Sequence, residues 1–95
     1  MNEETIELGG NIALTGFSAL DRDNMIILKK IVGSYAKGFS EKAQEFKKLH
    51  LELKRAEPYE LIATLTASDE KTVNAKDKNL FVALDNALKK IESSI

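Results

Sequence analysis

Arg22, Lys29, Lys30 and Lys37 are the residues whose type and spacing carry the clearest chemical meaning. At about 100° per residue they gather on one side of a helix, opposite the apolar set that starts at Met25. Cations in such a row can track phosphates. Each neutralised phosphate releases counterions, so the binding is salt-dependent. Lys42, Lys47 and Lys48 extend the run toward the middle of the chain. Formal charges are −4 for residues 1–27, +5 for 28–56, −2 for 57–79 and 0 for 80–95, which add to the net −1 of the chain. A neutral total therefore hides a basic centre. The commoner meaning of a lysine-bearing helix face is plain solvation, so spacing alone does not make it a nucleic-acid site.

Other chemistry has little to work with. With no cysteine and 1 histidine, thiolate nucleophiles, disulfides, zinc fingers and the usual histidine-based triads and metal sites are excluded. His50 lies on an alternating stretch with its side chain on the polar face, where a solvent-facing or RNA-facing imidazole is the ordinary reading rather than a catalyst. Glu52 and Glu60 are placed to face each other across a hairpin, but paired carboxylates doing acid/base work need a cleft, and an open sheet offers none. No GxxG clamp, aromatic-rich RNP-type strand, GxxxxGK[ST] or GxGxxG loop occurs. A non-enzymatic protein without cofactor or metal is expected.

These residues need elements to position them. Ile6, Leu8, Ile12 and Leu14 share one parity and predict an opening strand, bent or bulged at Gly9-Gly10. Residues 1 to 5 are expected to be loose. Ser18 and Asp21 are N-cap candidates for a helix whose buried face is Met25, Leu28, Ile31, Val32, Tyr35, Ala36 and Phe39. Gly33 and Gly38 weaken that helix by about 1 kcal/mol each relative to alanine, leaving its end near Phe39 or a few residues beyond. Tyr35 and Phe39 are expected in the core.

Lys48 to Lys54 alternates polar residues with Leu49, Leu51 and Leu53, the strongest strand signal in the chain. After Pro58, Tyr59 to Ala67 alternates again, so the two runs predict a hairpin. Lys71 to Lys76 is a weaker strand carrying Val73 and Ala75. Asp77 or Asn79 then caps a second helix with the stripe Leu80, Leu84, Leu88 and Ile91, flanked by Phe81 and Ala87. Ile26 and Val82 are the two apolar residues left without a buried place.

The expected fold is α+β in the order βαβββα. Two helices pack on one face of a four-stranded, mostly antiparallel sheet, because the leucine face of the second strand is the surface available to cover their stripes. The opposite face carries Lys48, His50, Glu52, Lys54, Glu60, Ile62, Thr64 and Thr66. Its polarity suits water. All 95 residues are expected in a single domain, since the chain is too short to hold a second core.

The segment from Asn74 to Ile91 resembles the closing strand and helix of the ribosome hibernation promoting factor and ribosome-associated inhibitor A family, also called protein Y. Ala75, Asn79, Leu80, Phe81, Ala83, Leu84, Asp85, Lys90 and Ile91 fill that family's alanine-ended strand, capping turn, hydrophobic-aromatic pair and A-[IL]-D-x-x-x-x-K-[LI] helix. Ile12 to Gly16 is similar to its opening strand, Leu20 to Phe39 to its first helix, and Leu49 to Lys54 to its second strand. The likeness spans residues 11–92. Asn79 departs from the family's usual aspartate, and the loop around Pro58 is short, so a short form or diverged relative is implied.

The resemblance implies a protein that occupies the decoding channel of the small ribosomal subunit, against ribosomal RNA, and shuts down idle ribosomes by steric block. By position it implies RNA contacts from Arg22, Lys29, Lys30 and Lys37 on the first helix and from Lys89 and Lys90 on the second. The partner would be ribosomal RNA, with no DNA and no membrane, and the chain a monomer. Met1-Asn2-Glu3-Glu4 has no basic n-region, and no apolar run approaches the roughly 18 residues of a membrane span, so a cytoplasmic location is expected. The alternative is a small interaction module without RNA, self-associating through a strand edge or the open sheet face.

Overall fold

The computed structural model describes residues 5–8, 11–17, 20–55 and 58–95. Its elements run β1 (Thr5–Leu8), β2 (Ile12–Thr15), α1 (Arg22–Lys42), β3 (Lys48–Arg55), β4 (Tyr59–Thr66), β5 (Glu70–Asp77) and α2 (Leu80–Glu92). The sheet has 5 strands in the order β1-β2-β3-β4-β5. All neighbours are antiparallel except β2 and β3, which are parallel. The fold is thus α+β with two helices, and the expected four-stranded, mostly antiparallel sheet is corrected to a five-stranded mixed one.

The fifth strand comes from the opening segment. Ile6 pairs with Leu14 and Leu8 with Ile12, so the stretch expected as one bent strand is a hairpin. Gly9 and Gly10, where the bend or bulge was expected, lie outside the described residues, as do residues 1–4; Thr5 opens β1. Both arms put their apolar residues on the face that the helices cover. Gly16 leaves β2 with a φ of 84°, a left-handed conformation that any side chain would strain.

β2 and β3 run parallel because a helix joins them: a parallel neighbour needs a crossover, and α1 supplies it. Asp21 caps α1, its carboxylate accepting from the Asn24 amide at 2.9 Å, while Ser18 lies outside the described residues. The helix runs past Phe39 to Lys42, and the Ala43 amide closes it on the Phe39 carbonyl at 2.7 Å. Both candidates before α2 act. Asn79 accepts from the Phe81 and Val82 amides at 2.8 and 3.3 Å, and Asp77 accepts from the Asn79 amide at 2.8 Å. Asp77 thereby fixes the residue that does the capping.

In the β3–β4 hairpin Leu49, Leu51 and Leu53 pair with Leu65, Ala63 and Leu61. With Ile12 and Leu14 they form the floor on which Leu28, Val32, Ala36 and Phe39 of α1 and Leu80, Ala83, Leu84, Ala87, Leu88 and Ile91 of α2 are buried. No polar or charged residue is buried among those described. Polar side chains thus reach the surface, and the backbone polar groups of the buried strands and helices are left to pair with one another. Glu52 lies opposite Ile62 in the regular register of the hairpin, and Glu60 is paired with Arg55 beyond a register shift between Leu53 and Arg55. The carboxylates are not cross-strand partners.

Candidate nucleic-acid interface

Arg22, Lys29, Lys30 and Lys37 are all exposed on α1. The 3.6-residue period dictates this, since Leu28, Val32, Ala36 and Phe39 take the buried side. None of the four cations forms an ion pair among the described residues. Lys42, at the end of the same helix, instead reaches Glu92 of α2 at 3.7 Å. Four exposed charges therefore stand along the outer side of α1, Lys37 bordering the groove beside β1 and β2 and Lys30 bordering the α2 seam with Tyr35 and Asp85.

The two lysines of α2 are held differently. Lys89 Nζ lies 3.0 Å from Asp85 Oδ2, a pair one helical turn apart, and is neutralised within its own helix. Lys90 Nζ donates to the Asn74 carbonyl at 2.7 Å. That carbonyl faces the open edge of the sheet. The Leu49 amide bonds toward β2, at the Asn11 carbonyl, so His50 turns its backbone groups to β4, Ala63 to β5, and Asn74 outward. Lys90 thus lies over the β5 edge, on the flank of α2 away from α1. The six expected site residues do not form one patch: Arg22, Lys29, Lys30 and Lys37 share a surface, while Lys89 and Lys90 are committed elsewhere.

Sequence reasoning missed the polar tie between the helices. The Tyr35 hydroxyl donates to Asp85 Oδ1 at 2.8 Å, and its ring stands 5.9 Å from that of Phe39. Burial, then the bond to Asp85, pushes the Tyr35 pKa up to about 12. Hydrogen bonds from Lys89 and then Tyr35 hold the Asp85 carboxyl below its ordinary range. Tyr35 is only partly buried, its ring in the core and its hydroxyl at the seam between the helices. Asp85 and Lys89 at i and i+4 were the one readable trace of this arrangement.

On the opposite face of the sheet, His50 Nε2 lies 2.8 Å from Thr15 Oγ1, which lies 2.9 Å from Thr5 Oγ1. The imidazole is held by a threonine chain on an open surface. No group of three or more His, Cys, Asp or Glu side chains that could hold a metal ion occurs among the described residues. Among the described residues, no helix is long and apolar enough to cross a membrane. Among the described residues, the large apolar side chains left exposed are Ile26 and Val82, as expected, joined by Ile27 and Ile95.

Comparison with protein-family models, curated proteins and solved structures finds no match to this chain.

Proposed function

We propose that this chain is a non-enzymatic RNA-binding protein that docks on the small ribosomal subunit and inhibits translation by idle ribosomes, sterically occupying the decoding channel. The observation that carries the reading is the row of four exposed cations on α1, none of them in an ion pair among the described residues. Neutralising a row of cations in a phosphate-rich groove releases counterions at each contact, and no pocket or base-reading loop is needed. From β2 onward the element order is strand, helix, three strands, helix, which is the order that the resemblance to the hibernation factors implies. That agreement supports the reading.

Affinity in this reading comes from phosphate contact and shape rather than from base edges. The main contact surface is the α1 row. Lys89 and Lys90 contribute less, because Lys89 must first leave Asp85 and Lys90 the Asn74 carbonyl. The protein acts as a cytoplasmic monomer. Both sheet edges discourage self-pairing: β1 has 4 residues, and β5 carries Lys71 and Lys76 with Lys90 across its outward carbonyl.

The test is co-sedimentation with isolated small ribosomal subunits. Binding should fall steeply between low and high salt, with a log–log slope of about −0.7 to −0.9 per phosphate engaged. Changing Lys29, Lys30 and Lys37 together to Glu should abolish it while the circular dichroism spectrum stays unchanged, since all three side chains face outward. Undiminished binding by the folded triple variant would refute the site and the function with it.

A further inference from the structure

A glycine inside a helix costs about 1 kcal/mol relative to alanine, and is usually explained by something packed too close for a side chain. That explanation is missing in α1. Among the described residues, a Cβ built at Gly33 or Gly38 would meet nothing within 4 Å. Neither has a positive φ, a conformation found at Gly16 and Glu45 among the described residues. The described residues make no packing demand for glycine at either place.

The two positions differ in their surroundings. Gly38 falls on the flank of α1 that turns toward α2, by the same period that sends Tyr35 there. Gly33 falls on the opposite flank, in an open groove shared with Leu8, Asn11, Ile12, Ala36 and Phe46. Its surface neighbours one turn away, at i−4, i−3, i+3 and i+4, are Lys29, Lys30, Ala36 and Lys37. Three of the four are exposed lysines and the fourth is the small, buried Ala36. Gly33 is therefore a notch with cations on both sides and no carboxylate among these neighbours.

We infer that Gly33 is the seat on which α1 receives the sugar–phosphate backbone of helical RNA. The inference rests on the RNA-binding reading above and specifies where the polyanion touches. Without a side chain at Gly33, a phosphodiester reaches the surface of the helix backbone itself. Lys29 and Lys30 then close on it from one turn before, and Lys37 from one turn after. Any larger residue holds the strand away from the helix. Because charge attraction falls with distance and with intervening water, a stand-off of a few ångströms weakens all three lysine contacts together. Gly38, lacking such a ring, is the internal control.

The experiment compares Gly33→Leu with Gly38→Leu, using isolated small ribosomal subunits and a short RNA duplex as probes, across a salt series. Leucine is a far better helix former than glycine and both sites are open, so both variants should melt at a higher temperature than the parent. Gly33→Leu should bind both probes roughly tenfold or more weakly, with the salt slope flattened by about one to two phosphate equivalents. Gly38→Leu should bind like the parent. Parent-like binding by Gly33→Leu, while the triple lysine variant fails to bind, overturns the seat and leaves the RNA reading standing. Equal weakening by both leucine variants also overturns the seat, since the effect would then belong to the helix as a whole. Parent-like binding by the triple lysine variant removes the RNA reading and the seat together.

Discussion

Tyr35 and Asp85, 50 residues apart in the chain, meet across the helix layer in a 2.8 Å hydrogen bond from the phenol to Oδ1. Lys89 completes the group from the other side of the carboxylate at 3.0 Å. The two helices are thereby tied by a charged hydrogen bond at the rim of their contact, beside the Lys42–Glu92 pair at its far end.

Replacing Tyr35 by Phe should cost about 1–2 kcal/mol at neutral pH, the worth of a hydrogen bond to a charged group reduced for its partial exposure. The cost should depend on pH at both extremes. Asp85 has its pKa lowered on folding, so its contribution is present above the ordinary carboxylate range and lost as pH falls through the depressed value. Tyr35 has its pKa raised from 10.0 to about 12, so its contribution is present below pH 10 and lost as pH climbs through that interval. Urea melts of parent and variant across pH should differ most between about 5 and 9. A difference that does not change with pH would show that the tie carries no ionic character.

Lys90 bears on association. With its ammonium on the outward Asn74 carbonyl, the β5 edge presents charge where a strand from another molecule would pair. The double change Lys76→Thr and Lys90→Ala strips that protection. It should produce a concentration-dependent dimer in sedimentation equilibrium, where the parent remains monomeric. A variant that stays monomeric throughout would mean that the edge is guarded by something other than these two lysines.

Leu51 and its neighbour His50 should respond oppositely to truncation, since they point to opposite faces of β3. Leu51 is fully buried between Leu14 and Ala63, so Leu51→Ala should cost about 2–5 kcal/mol in chemical denaturation. His50→Ala loses one hydrogen bond to Thr15 on an open face and should cost about 1 kcal/mol. Comparable losses at the two positions would contradict the one-sided core.

Much of this fold was legible in the sequence, and the misreading at its start has a definite cause. Strict alternation marked β3, and the 3.6-residue stripes marked both helices, because in each case burial on one side leaves a periodic trace. The opening hairpin leaves the same trace as one straight strand. Its partners, Ile6 with Leu14 and Leu8 with Ile12, are separated by even numbers of residues, so parity passes unbroken through the turn. Gly9-Gly10 was the evidence for a reversal, and it serves equally for a bend. For the candidate site, the α1 row followed from helical spacing. The fate of Lys90 did not, because reaching Asn74 depends on how α2 lies against β5, a relation between distant segments that no local period encodes.

The parallel seam between β2 and β3 sets the chain's connectivity apart into two kinds of closure. The β1–β2 hairpin and the β3–β4–β5 meander each bring together residues near in sequence, and their turns are short. Joining them requires residues 16–47 to leave the sheet, form α1 and return, so the loop-closure entropy of assembling the sheet is concentrated at that single joint. Topologically the domain is two local ribbons and one long-range weld, and α1, the helix that carries the cationic row, is also the span that makes the weld.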